Sequence, residues 1–396
     1  MTARQLARLA TAGVLVGLTS GVASAAFLSL LELATSTRQD HRWLVVGLPV
    51  WGLAFGLLVH RFAGRSAGGN RRTMTEIHRF DQGVPFRMAP NAFVGTIVTH
   101  LFGGSAGREG TALQMSAGIT DGVAARLGLD HEERRLLLIA ALAGGFASVF
   151  GVPVAGAVFA LEVSPTGVGS RARAVAAVVP AAIVGHITVL SLGVTHSHYD
   201  AFSSGARWSD APRWLVVAVA VGIGAFAFPR LVEAVRALLV RISAHPSIRA
   251  ALGGAVVVLL AVVFSAWDEL GLSLPLLHRA LDGQGGWPNF VLKLVLTSVT
   301  LGAGFPGGEV TPSFVMGAVL GSTVAGWVGV PRQLAARVGF VALFGAAANA
   351  PVAAIVLGIE LFGWRQVPIL VVVCVVARVC SGGHHIYEVM EEELFD

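Results

Sequence analysis

GGSAGREGTALQMS, residues 103–116, sets two charged residues, Arg108 and Glu109, between glycines inside strongly apolar sequence. Ionisable groups are costly in such surroundings and are kept there for function. Glycine leaves backbone N–H groups free to face a cavity, and the helical run that follows presents the positive end of its dipole. Together they make an anion-binding site, with Gly107, Arg108, Gly110 and Thr111 as its candidate donors. The carboxylate of Glu109 competes with any anion for those donors. Protonation removes that competitor, which links a proton and an anion at one residue.

The surrounding composition places this stretch in a membrane. Of 396 residues 55% are hydrophobic and 13% charged, and the mean hydropathy is +0.73, far more apolar surface than one soluble core can hide. The expected fold class is therefore an all-α polytopic membrane protein. Its 49 glycines favour closely packed and broken helices over plain lipid-facing spans. The first apolar run continues into further spans with no cleavage-like site, so no signal peptide is expected. The net charge of +5 comes from basic residues in loops that flank apolar segments, which gives topology and no nucleic-acid stripe. Cys374 and Cys380 have no metal-ligand or redox spacing, and His196 and His198 read as solvated loop histidines. Neither a metal nor a cofactor is expected.

Along the chain, residues 7–35 and 43–62 read as a helical hairpin. The loop at 61–87 carries Arg61, Arg65, Arg71, Arg72, Arg79 and Arg87, which assigns it and the N-terminus to the cytoplasm. The apolar runs at 89–102, 112–127, 135–150 and 153–163 are too short for each to cross a core of about 30 Å unaided. A fuller span follows at 173–195. The second half opens with 214–242, interrupted by Pro229, and continues with 248–266. Arg236, Arg241 and Arg249 turn that junction inward, whereas the matching turn at 36–42 faces outward.

The halves thus read as inverted, and the sequence repeats itself accordingly. GREGT at 107–111 matches GGEVT at 307–311, which pairs Glu109 with Glu309. The segment that ends at Glu162 parallels the one that ends at Glu360. Two motifs in the same order at nearly one offset define an internal repeat, with residues 1–200 as the first unit and 201–396 as the second. An inverted-topology repeat brings broken helices together near the bilayer midplane, so Glu109 and Glu309 belong to one site with Gly308 and Val310 beside them. Glu309 also suits a cap for the following helix, shared with Thr311. An ion pair between Arg108 and Glu109 is expected to be poor, because adjacent helical residues do not face each other. Lys293 is expected to snorkel or to pair with a carboxylate, and Glu162 and Glu360 to be interfacial or structural. The competing motif is GGSAG at 103–107, a G-x-S-x-G pattern that would make Ser105 a nucleophile with His100 near by in sequence.

With GREG at 107–110, GGEVTP at 307–312 and GAAANAP at 345–351 in hand, the chain resembles the CLC chloride channels and proton-coupled antiporters over nearly its whole length. Within them it is similar to the fluoride-selective CLC-F branch. Thr111 stands where chloride-type members usually have proline, and Glu309, Val310 and Thr311 stand in place of their usual GGIFAP pattern. VPFRMAP at 84–90, HLFGGSAGREGT at 100–111 and GFPGGEVTP at 304–312 point the same way. The resemblance implies the CLC fold, a homodimer with a separate pore in each subunit, and export of fluoride against inward protons. A chloride/proton antiporter or a passive anion channel of the same fold is the alternative. The resemblance also implies roles: Glu109 as the gating glutamate, Glu309 and Thr311 as inner proton-path and ion-coordinating residues, Tyr387 as the pore tyrosine and Asn70 as the replacement of the pore serine. Val163 stands where chloride antiporters often carry a second acidic residue, so that proton route is absent. The expected setting is the inner membrane of a prokaryote, with both termini cytoplasmic and lipid as the surrounding partner.

Overall fold

The computed structural model describes residues 2–63, 69–165, 171–202 and 205–387. Sixteen α-helices are found among them: α1 (Ala3–Asp40), α2 (Leu48–Leu58), α3 (Gly69–His78), α4 (Met88–Leu101), α5 (Glu109–Arg126), α6 (His131–Phe150), α7 (Pro153–Glu162), α8 (Arg171–Ser191), α9 (Ala211–Ile242), α10 (Pro246–Val263), α11 (Leu274–Leu281), α12 (Trp287–Gly302), α13 (Val310–Val328), α14 (Arg332–Ala347), α15 (Pro351–Phe362) and α16 (Val367–Cys380). The acidic segment after Met390 and Arg65 lie outside the described residues.

Local chemistry sets many of the helix ends. Asp130 accepts the N–H of Glu133 at 2.8 Å to start α6, which ends at Gly151 with φ +81°. Prolines stand in the first turn of α7, α10, α12, α15 and α16, where no intrahelical donor is lost. Pro229 does not interrupt α9 as the sequence led one to expect: it is buried inside a continuous 32-residue helix. Neighbouring helices stabilise such a proline within a membrane bundle. The Arg-rich stretch read as a loop contains helix α3.

Length separates two kinds of helix. α1, α8, α9, α10 and α13 are long and apolar enough to cross a membrane, as is the stretch Arg42–Arg61 that includes α2, whereas α7 and α15 are apolar and short. At 1.5 Å per residue, the 38 residues of α1 extend about 57 Å, so it tilts or projects beyond the hydrocarbon. Arg8 on α1 pairs with Glu133 at 3.1 Å and Arg173 with Glu132 at 2.5 Å, so the starts of α1, α6 and α8 share one face. At the opposite face Arg42 stacks over Trp267, 5.5 Å from the ring centroid.

The core sits where α5 and α6 meet α13 and α14. Phe314 on α13 stacks flat on Phe340 of α14 with centroids 4.3 Å apart, and Phe150 of α6 stacks on Phe314 at 5.0 Å. Offset aromatic stacks of this kind add to the stabilisation from burial. Between α1 and its neighbours, Ser24 and Ser148 hydroxyls bond at 2.7 Å and Ser20 bonds Ser116, the small polar contacts that hold closely packed membrane helices.

The short helices α7 and α15 meet reciprocally. Glu162, at the end of α7, accepts the N–H groups of Val352 and Ala353 at the start of α15, at 3.0 and 2.6 Å. Glu360, near the end of α15, accepts those of Val154 and Ala155 at the start of α7, at 3.1 and 2.8 Å. Each carboxylate thus satisfies the first-turn donors of the other helix and faces the positive end of its dipole. Glu162 and Glu360 are structural.

One of two loop histidines departs from expectation. His196 is half-buried: it donates through Nε2 to the Ser148 carbonyl at 2.9 Å and stacks on His186 with centroids 5.3 Å apart. Burial lowers its pKa from the ordinary histidine value, with the Ser148 contact opposing. His198 is exposed, as a solvated histidine should be.

Candidate anion and proton site

The N-termini of α5 and α13 point at each other across the middle of the bundle, and the loops that precede them pair. Gly107 N–H donates to the Gly308 carbonyl at 2.7 Å, and Gly308 N–H donates to the Gly107 carbonyl at 2.9 Å. This approach requires glycine. A Cβ on Gly107 would lie 2.8 Å from the Gly308 carbonyl oxygen, and one on Gly308 would lie 2.7 Å from the Gly110 nitrogen. Gly110 is equally tight, with Asn70 Nδ2 at 2.5 Å from the Cβ position. The first-turn N–H groups of both helices have no intrahelical acceptors.

Glu109 is fully buried in this junction. Its Oε2 accepts the N–H of Thr311 at 3.1 Å and also the Thr311 hydroxyl. The carboxylate at the start of α5 therefore sits at the positive N-terminal end of α13. Its second oxygen, Oε1, makes no hydrogen bond and lies 3.6 Å from Nε of Arg108. That ion contact was not expected from adjacent helical positions. It arises because Arg108 precedes the helix, at its N-cap, so helical spacing does not govern the pair. Arg108 N–H also donates to Thr311 Oγ1 at 3.3 Å.

Glu309 does not cap α13 with its side chain. Its Oε2 accepts from Asn70 Nδ2 at 3.3 Å, which ties α3 to the second half. Arg236 and Arg71 lie within electrostatic reach of Glu309. Tyr387 is 4% exposed, packs edge-on against Phe159 at 5.7 Å, and feels the charges of both Glu309 and Glu109. Its hydroxyl makes no hydrogen bond, nor does Asn70 Oδ1. The segment that carries Tyr387 is anchored by Ile386 N–H to the Ala347 carbonyl at 2.9 Å, and by His384 to Glu233 at 2.7 Å. Glu233 on α9 also lies 3.5 Å from Arg71, which ties α3 and this segment to the same carboxylate. Nothing local in the sequence marks Glu233 for that part.

Two candidate donors turn out differently placed. The Thr111 hydroxyl bonds Thr96 on α4 at 2.7 Å, which leaves its backbone N–H for the junction. Val310 is fully buried in the main hydrophobic core.

Ser105 and Lys293 form a separate buried network. Lys293 neither snorkels nor pairs with a carboxylate: it is fully buried, and Nζ donates to Ser105 Oγ at 2.9 Å, Ser273 Oγ at 2.8 Å, and the carbonyls of Gly271 and Glu269 at 3.0 and 3.2 Å. Ser105 has no histidine partner. The ring nitrogens of His100 lie 2.8 and 3.1 Å from the carbonyl oxygens of Thr96 and Ala106 instead. A buried serine held by lysine and by Thr297 at 2.9 Å positions the loop before α5 and does not serve as a nucleophile. Ser105→Ala is expected to cost about 1–3 kcal/mol, because it removes one of the lysine's four partners. A lowered midpoint of thermal unfolding checks this, and an unchanged midpoint would show that Ser105 holds nothing.

Two helix N-termini thus converge on the buried carboxylate of Glu109, with Glu309 beside it, in a bundle of long and short apolar helices. The family profile described as voltage gated chloride channel matches residues 51–382. The chain belongs to this family of channels and transporters. It is 38% identical over 393 residues to the chloride/fluoride channel protein of Pseudomonas syringae pv. tomato, covering 96% of this chain and 85% of that one. It is 27% identical over 383 residues to the H(+)/Cl(-) exchange transporter ClcA of Vibrio cholerae, covering 88% and 80%. Its fold matches the crystal structure of a CLC-type fluoride/proton antiporter with TM-score 0.91 and 32% identity, over 98% of this chain and 99% of that one. A slow cyanobacterial Cl-/H+ antiporter shares the fold with TM-score 0.84 at 20% identity, over 100% and 98% of the two chains.

Proposed function

We propose that this protein exports fluoride from the cytoplasm in exchange for protons. The observation that carries the proposal is the Glu109 carboxylate accepting both the N–H and the hydroxyl of Thr311 at the start of α13. An anionic side chain on those donors is a removable stand-in for a transported anion. When Glu109 is protonated its hold on them weakens, and an anion takes its place. Fluoride is compact and strongly hydrated, so replacing its water needs dense donors. Thr311 supplies a hydroxyl and an N–H, the first turns of α5 and α13 supply further N–H groups, and Tyr387 supplies a buried hydroxyl without a protein partner. Asn70 reaches the site through its amide, which holds Glu309.

In this reading the proton passes on through Glu309. Arg71 and Arg236 near it attract the anion to the cytoplasmic mouth. The reading takes 1–200 and 201–396 as inverted repeats, supported by the Gly107–Gly308 pairing and by the reciprocal caps of Glu162 and Glu360. Both termini are assigned to the cytoplasm of a prokaryotic inner membrane, supported by Arg8 and Arg173 on the face where α1 begins. A homodimer with one pore per subunit follows from the family resemblance. A chloride/proton antiporter of the same fold is the second reading, and relatives so named favour it.

Efflux from liposomes holding the purified protein separates the two. With fluoride or chloride inside and a pH electrode outside, fluoride leaves with proton uptake and chloride release stays near the protein-free level. Chloride leaving as fast as fluoride would overturn the assignment of substrate.

A further inference from the structure

On the face opposite the N-terminus, a cavity of about 270 Å³ opens between the end of α1 and the segment 267–275. Arg38 forms its floor. This residue is only 4% exposed, and its Nε makes no hydrogen bond. The carboxylate at hand, Asp268, is held by Arg279 at 2.6 Å. One turn back on the same face of α1, the Thr35 hydroxyl is likewise buried with no partner. At the rim Arg42 is exposed, its guanidinium set over the Trp267 ring. Asp268 also lies within electrostatic reach of Arg38, so the lining offers two guanidinium groups and an unpaired hydroxyl against one carboxylate that Arg38 shares with Arg279. A buried donor left unsatisfied is costly, and a charged one more so.

We propose that this cavity is a binding site for a phosphate-type oxyanion, either the headgroup phosphate of an anionic phospholipid or free phosphate. Guanidinium forks match tetrahedral oxyanions with paired, charge-assisted hydrogen bonds. The cavity is far larger than a halide needs and lies at the end of a membrane-crossing helix beside a tryptophan, the level at which lipid headgroups sit. The site is separate from the Glu109 junction but adjoins its support. Arg38 packs against Gly103 and Gly271, and the Gly271 carbonyl accepts from Lys293, which in turn holds Ser105 in the loop before α5. Occupancy stiffens that loop.

The test uses the full chain purified in detergent, and binding is read without any transport assay, so it stands or falls apart from the proposed function. Native mass spectrometry measures retention of phosphatidylglycerol against phosphatidylcholine. Thermal unfolding is followed in inorganic phosphate against sodium chloride of equal ionic strength. Retention of phosphatidylglycerol alone identifies a lipid phosphate, and stabilisation by inorganic phosphate identifies a soluble oxyanion; either supports the site. Arg38→Gln and Arg42→Gln should each weaken the response about tenfold, the loss of one charge-assisted contact. Arg42 is exposed, so its variant folds whatever becomes of the buried Arg38. No response to either ligand, or a response undiminished in the Arg42 variant, overturns the proposal.

Discussion

Glu109→Gln is expected to reduce proton uptake during fluoride efflux to the level of protein-free liposomes. The glutamine keeps the size of the side chain and its burial but has no charge to gain or lose. Its amide oxygen accepts a weaker hydrogen bond than a carboxylate does from Thr311, and its amide nitrogen brings a donor where the carboxylate brought only acceptors. The helix end of α13 then loses its anionic occupant, and the two transported species lose the residue at which they exclude one another. Charge-assisted bonds to a buried carboxylate are worth about 1.5–3 kcal/mol each, so the occupancy of the site by fluoride should change by more than tenfold. Proton uptake at the unmutated rate in this variant would remove Glu109 from the coupling.

Glu309→Gln is expected to lower proton movement at least tenfold while the protein still folds. The amide oxygen of glutamine can accept from Asn70 Nδ2 as the carboxylate does at 3.3 Å, so the tie between α3 and the second half survives. What is lost is a protonatable group next to the Gly107–Gly308 pairing, held by Asn70 and not by the Thr311 donors that hold Glu109. The contrast with Glu162 sharpens the test. That carboxylate is committed to the N–H groups of Val352 and Ala353, and Glu162→Gln should lower the unfolding midpoint without selectively ending proton movement. If Glu309→Gln kept full coupling and Glu162→Gln abolished it, the proton route would run through the α7–α15 pair instead.

The two motifs that meet at the junction were legible because helix ends inside a membrane tolerate few residues. Glycines that let two backbones approach, with a carboxylate beside them, stand out against apolar sequence, and they recur at Glu109 and Glu309. The short helices were legible from prolines at their starts and from runs too brief to span. Contacts between distant parts of the chain were not. Thr311 reads locally as a cap for its own helix, yet its N–H and hydroxyl serve Glu109 from the other half. Lys293 reads as a snorkelling or paired cation, yet four neutral oxygens hold it, one from Ser105 and three from the segment 269–273. Helix α3 was hidden because six arginines between 61 and 87 weigh a window toward a solvated loop. The face of α3 that matters carries Asn70, and its partner lies 239 positions away.

The same comparison explains why Arg108 and Glu109 meet at 3.6 Å. Helical spacing was the wrong rule for a pair that straddles the first residue of a helix. Thr111 shows the opposite case. It marks the family branch in sequence, but its hydroxyl is spent on Thr96, which leaves only its backbone N–H for the junction.

The central claim is that anion and proton movements are obligatorily opposed at Glu109. Liposomes with equal fluoride on both sides, clamped at zero membrane potential and acidified outside, test it directly. Inward proton flow should drive fluoride out from equal concentrations, whereas leakage of neutral hydrogen fluoride runs inward and cannot imitate that result. No net fluoride efflux under these conditions, with fluoride still passing down its own gradient, would make the protein a channel and contradict the account.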